Sequence, residues 1–254
     1  MVKNLDFQYF VTHGNIKKKK NIALKIGVFV LVVLIFSGVV ALGFYSNFKH
    51  KKNFKQSTFY FVCATKSKKY KNIEAKQEDV KKLGGAGKIY QKDKFYYLVL
   101  SVYDDFESAN QVADLNKEIY PEIEVLEIKT EKIATKEQFN VKNNEKLYQF
   151  FKLSRSSVFD MIGLVVDRLS GDLSENKFCS CVLKSKFEFE DCKQNVEKIE
   201  DAELKNLLNS NISLMIMYHD AFLNSYFDSD KKNSVVCDFV VSLVLVYIDF
   251  INNL

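Results

Sequence analysis

The sequence predicts an α+β protein built as one N-terminal transmembrane helix, then a ferredoxin-like βαββαβ module, then an α-helical bundle. Three observations predict it. An uncharged apolar run fills residues 26–48. Two β-α-β stretches come next, offset by 36 residues so that Phe59-Tyr60-Phe61-Val62 falls on Phe95-Tyr96-Tyr97-Leu98. Beyond residue 144, apolar side chains recur at helical spacing to the last residue. The boundaries are 1–25 for an N-terminal tail, 26–48 for the span, 49–56 for a basic linker, 57–130 for the βαββαβ module, 131–144 for a connector and 145–254 for the bundle.

The span reads IGVFVLVVLIFSGVVALGFYSNF, with no charge between Lys25 and Lys49. At about 1.5 Å per residue it covers the roughly 30 Å hydrocarbon core. No face of it carries a polar stripe, which makes a buried soluble helix the poorer reading. A cleavable leader carries about 7–15 apolar residues, and Ala41-Leu42-Gly43 is a weak cleavage site, so an uncleaved anchor is expected. Lys17, Lys18, Lys19, Lys20 and Lys25 precede the span, and Lys49, Lys51, Lys52 and Lys55 succeed it. Such lysines meet phospholipid head groups and set topology. The slight N-side excess and the short tail place the N-terminus in the cytoplasm and the rest outside the cell. The cysteines argue the other way, since free thiols suit a reducing compartment.

With 47% hydrophobic and 27% charged residues among 254, the chain is too apolar for disorder. The net charge of +5 resides largely in the lysines beside the span, so no nucleic-acid partner is expected. Cys63, Cys179, Cys181, Cys192 and Cys237 are too few and dispersed for a disulfide scaffold. A single disulfide among the last four stays open. Cys179-Ser180-Cys181 is not the Cys-x-x-Cys of a zinc knuckle, and His13, His50 and His219 lie elsewhere, so neither metal nor cofactor is expected.

Within the module, aromatic and β-branched residues make Phe59–Ala64 a strand. Glu74–Leu83 fits a short helix, stopped by Gly84-Gly85. Gly87–Gln91 is a second strand and Gln91-Lys92-Asp93-Lys94 a polar turn, and Phe95–Tyr103 is the clearest strand in the chain. Asp104 or Asp105 caps a helix over Phe106–Ile119, Pro121 stops it, and Ile123–Ile128 alternates as the fourth strand. Two such halves give a four-stranded antiparallel sheet with both helices on one face, leaving the other face free to bind.

Phe59-Tyr60-Phe61-Val62-Cys63-Ala64 resembles the opening strand of a SPOR domain. Phe95 to Tyr103, continued by Asp105-Phe106-Glu107-Ser108-Ala109, resembles that family's second half, where an aromatic strand leads into a helix with an early acidic-x-Ala. The resemblance spans about residues 57–130. It implies a domain that binds septal peptidoglycan, chiefly glycan strands stripped of stem peptides, and that hangs outside the cell from one membrane helix. Val62 and Ala64 stand where the family often carries a glutamine and a glycine. On the face expected to be free, Tyr60, Val62, Tyr97, Val99 and Tyr103 are the candidate peptidoglycan-binding residues, of opposite parity to Phe61, Cys63, Leu98 and Leu100. Tyrosine rings stack on sugar C–H surfaces while their hydroxyls bond ring substituents.

The bundle reads as four helices, Glu145–Leu169, Asn176–Lys193, Ala202–Phe227 and Ser234–Asn252, with short turns that favour antiparallel neighbours. The last is apolar enough to resemble a second span. Its uncharged run Phe239–Ile248 is too short to cross a bilayer, and Asp238, Ser242, Asp249 and Asn253 share a face. It is read as the central helix.

No GxSxG, P-loop, HExxH or dinucleotide fingerprint occurs. Gly84-Gly85-Ala86-Gly87 lacks the lysine of a phosphate cradle and is read as a helix stop. Glu188, Glu190 and Asp191 are read as a solvated face, and His219-Asp220 has no nucleophile motif beside it. The expectation is a non-catalytic, single-pass envelope protein that binds peptidoglycan and serves the wall, division septum or sporulation. Its bundle would contact other envelope proteins. The alternative is a membrane scaffold without a glycan ligand.

Overall fold

The run Phe59–Ala64 is apolar at every position, the pattern of a strand buried on both faces. The computed structural model, which describes residues 56–131 and 141–254, shows why. The expected span 26–48, nearly all of the linker 49–56 and most of the connector 131–144 lie outside the described residues.

The first part runs β1(Thr58–Ser67), α1(Tyr70–Glu74), α2(Gln77–Lys82), β2(Lys88–Lys92), β3(Phe95–Tyr103), α3(Phe106–Leu115), β4(Glu124–Lys129). Its sheet is wholly antiparallel, in the order β2-β3-β1-β4. The expected helix Glu74–Leu83 begins instead at Tyr70 and is interrupted at Ala75-Lys76. Neither piece is long enough to hold helix unaided; Ile73 and Val80 seat them on the sheet. The α3 helix starts as expected, with the Asp105 carboxylate accepting from the Ser108 N–H at 2.7 Å. It ends four residues early, in a turn at Asn116–Ile119. Gly84 closes α2 with φ +93°, a conformation that favours glycine. At Gly85 a Cβ would lie 2.8 Å from Val80 Cγ1 and 2.9 Å from Leu100 Cδ2, so only glycine lets the loop pass this close to β3.

The second part is α4(Val141–Ser170), α5(Glu175–Val196), α6(Ala202–Ser225) and α7(Lys232–Asn252), matching the four expected helices to within a few residues. The most apolar of them, α7, is mostly buried inside the protein. It contacts α4 and α6 on one side and β3 and β2 on the other.

That placement corrects the expectation of a sheet with a free face. Phe59, Phe61, Cys63, Val99 and Val102 belong to the same core as Val240, Leu243, Tyr247 and Phe250 of α7 and Phe150, Phe151 and Val158 of α4. The Phe59 ring lies 5.3 Å from Phe159 and meets Tyr247 edge-on at 5.9 Å. On the opposite face, Val62, Ala64, Leu98, Leu100 and Tyr103 pack with Ile73, Val80, Ala109 and Ala113 of the small helices. The sheet is the middle layer of three. Burying apolar area is worth about 25 cal/mol per Å², and in this fold both faces of β1 contribute.

Polar bonds fix the layers where they meet. The Ser57 hydroxyl lies 3.1 Å from the Tyr247 hydroxyl and accepts from Arg155 Nε at 3.2 Å. Ser234 Oγ donates to the Gly85 carbonyl at 2.9 Å, and Lys88 pairs with Asp238 at 3.1 Å.

Candidate functional site

Two irregularities in β1–β3 pairing decide where the expected ligand residues point. Val62 pairs with Ser101 and Cys63 with Val99, passing over Leu100; Thr65 then pairs with Leu98, passing over Ala64. Each bulge reverses the alternation of its strand. The five candidates therefore do not share a face. Tyr60, Val62 and Tyr103 turn towards the small helices, and Tyr97 and Val99 towards the bundle. Val62, Tyr97, Val99 and Tyr103 are buried, and Tyr60 is half-buried against Phe106 at 5.7 Å. As a surface platform the set is overturned; Tyr60 lies beside the exposed Phe106 and Glu127, and Tyr97 beside Lys66 and the half-buried Phe95.

Tyr97 is 8% exposed and belongs to the bundle-side core near the β2–β3 hairpin, where more accessible side chains surround it. There the bundle-side face carries Tyr90, Phe95 and Tyr97 from the β2–β3 hairpin, Lys66 from the end of β1, Lys68 just past it, and Glu124 from β4. Alternation along β2 and β3 puts Tyr90 and Tyr97 on one side, where they pair directly. Phe95 and Tyr97 lie 6.4 Å apart. The Lys66 ammonium stands 5.6 Å from the Phe95 ring and 5.9 Å from the Tyr97 ring, and Lys68 lies 5.5 Å from Phe95. Such cation–π contacts draw positive charge onto the aromatic surface. Lys66 also donates to Glu124 Oε2 at 2.9 Å, which raises its pKa. Burial raises the Tyr97 pKa, so its phenol stays protonated as a donor at neutral pH. The other carboxylate oxygen, Glu124 Oε1, is buried and has no hydrogen-bond partner among the described residues. The corner thus presents the half-buried Phe95 ring and two ammonium groups, with Tyr97 and the unsatisfied Glu124 Oε1 just beneath them.

A second polar cluster lies inside the bundle. His219 is fully buried. Its Nδ1 lies 2.7 Å from the Met215 carbonyl, which can only accept, so Nδ1 carries the proton. Nε2 then accepts from the Ser185 hydroxyl at 3.0 Å, and Ser185 Oγ in turn lies 2.8 Å from Ser157 Oγ. The ring contacts Phe189 and Phe239 at 5.7 and 5.1 Å. Burial lowers the His219 pKa and keeps the imidazole neutral. This supplies the hydroxyl partners that the sequence did not reveal, because Ser157 and Ser185 stand 62 and 34 residues from His219. Ser185 sits inside α5, where backbone N–H groups are committed to the helix ladder and cannot form an oxyanion hole.

Glu188 lines a groove of about 500 Å³ between α4 and α5, together with Asp160, Asp167 and Lys184. Glu190 pairs with Lys186 at 3.4 Å, so the acidic run is divided between different contacts. All five cysteines are free; burial pushes the Cys192 thiol up to about 11 and Cys237 up to about 12.

No protein-family model, curated protein or solved structure matches this chain.

Proposed function

We propose that this chain is a non-catalytic, single-pass envelope protein that binds peptidoglycan glycan strands at the open corner of its sheet, outside the cell. The observation that carries the reading is the half-buried Phe95 ring under Lys66 and Lys68, backed by the buried Tyr97 and the unsatisfied Glu124 Oε1. The strand order is that of a ferredoxin-like fold, in keeping with the SPOR resemblance. Rings suit the apolar faces of pyranoses, and a carboxylate oxygen suits a sugar hydroxyl. Loss of stem peptides leaves the lactyl carboxylate of each muramic acid free, and lysine ammonium groups attract such an anion. The glutamine missing at Val62 is no obstacle at this site, because Val62 faces the small helices. The corner also lies nine residues along β1 from Ser57, roughly 30 Å from the end that joins the preceding chain.

The test is retention of the full-length chain, in detergent, on sacculi treated with a muramoyl-alanine amidase. Binding should exceed that to untreated sacculi and should fall at least tenfold in Lys66→Ala/Lys68→Ala, a loss of about 1.4 kcal/mol or more. Equal binding by the double variant would contradict the reading.

The scaffold reading is favoured by one observation. The α4–α5 groove is acidic-rimmed and open, and no atom among the described residues lies within 4 Å of where a Cβ at Gly163 would stand. A helix-interior glycine costs about 1 kcal/mol relative to alanine, and packing among the described residues does not require it. That surface suits the expected contact with other envelope proteins.

A further inference from the structure

Adjacent residues of a strand point to opposite faces, so the run Phe95-Tyr96-Tyr97 supplies rings to both sides of the sheet. Phe95 and Tyr97 form the open corner. Tyr96 turns to the other side, where it pairs with Gln91 of the edge strand β2 and meets Tyr70 of α1 edge-on at 5.5 Å. These residues, with Gln77 and Ile89, line an open notch of about 330 Å³. Tyr70 and Gln91 are exposed. Gln77 Nε2 donates to the Gly87 carbonyl at 2.8 Å, which fixes that amide at the wall of the notch.

We propose that this notch is a second glycan subsite, and that one glycan strand passes from it around the β2 edge to the Phe95–Tyr97 corner. The proposal rests on the glycan reading of the corner. Its chemistry is distinct. The corner carries ammonium groups and suits an acidic sugar. The notch carries two phenols, two primary amides and one aliphatic side chain, a set without formal charge that suits a neutral N-acetylated pyranose through stacking and amide–hydroxyl bonds. Because β2 is an edge strand, only that strand and its hairpin separate the two sites. A ligand long enough to touch both gains the second contact as an intramolecular event, so affinity rises with strand length.

The test measures binding of full-length chain in detergent to denuded glycan fragments of defined length, from disaccharide to octasaccharide. The wild-type chain should bind the octasaccharide at least roughly tenfold more tightly than the disaccharide. In Tyr70→Ala/Gln91→Ala that advantage should shrink to about twofold, with disaccharide binding unchanged. Gln91→Ala alone alters only an exposed side chain and keeps the test valid should the double variant fold poorly. A length advantage that persists in both variants overturns the notch and leaves the corner standing. Disaccharide binding that is unaffected by Lys66→Ala/Lys68→Ala overturns the corner instead.

Discussion

At the residue scale, His219 is the most constrained polar side chain described, and its neutrality is a statement about stability. Burial lowers its folded-state pKa below the ordinary value of 6.5. Protonation would set a second N–H against a serine hydroxyl in an aromatic cage, so the unfolded chain binds the proton more readily. The contribution is complete above pH 6.5 and is lost as pH falls through the lowered folded-state value. Urea midpoints of the wild-type chain should therefore decline from pH 7.5 to pH 5, and His219→Gln should flatten that slope. A separate substitution, Ser185→Ala, leaves Nε2 buried without its donor and should cost about 1–3 kcal/mol at neutral pH. The sequence showed His219 and Asp220 side by side but not the node, since its hydroxyls come from two other helices. Asp220 turns away to Lys186 at 2.6 Å.

At the scale of elements, local chemistry was legible wherever the signal was local. β3 occupies the expected residues, and α3 begins where an aspartate stands ready to cap it. Asp105→Ala should lower stability by about 1 kcal/mol, read as a reduced unfolding free energy, whereas Asp104→Ala should not. Facing was less legible than extent. Bulges at Leu100 and Ala64 carry no glycine or proline to announce them, and each inverts the parity of the residues beyond it. The five expected ligand residues share a face only under unbroken alternation, so the two bulges divide them between both faces. A usable signal existed nonetheless: Phe59–Ala64 is apolar at every position, whereas a half-exposed strand alternates.

At the scale of the molecule, the expected division into sheet module and helical module tracks the order of elements but not the core. Phe59, Phe61, Val99 and Val102 share one core with residues beyond 145, and α7 is the central helix of the bundle and the cover of the sheet at once. The chain order hides this, because α7 joins the sheet from about 130 residues beyond β3. Unfolding should accordingly be a single transition, with near-UV aromatic signals and helical signals coincident. Leu243→Ala, in the middle of α7, should lower both together by about 2–5 kcal/mol. Two separated transitions would mean that the layers are independent.

The sheet face thus does two things: most of it is core, and one corner carries the proposed ligand surface. Hydrogen exchange of the full-length chain with and without denuded glycan fragments tests this most directly. Exchange should slow in residues 66–69 and 93–97, with no change in β1 at residues 59–63. No protection at either corner segment, or protection confined to the α4–α5 groove, would contradict it.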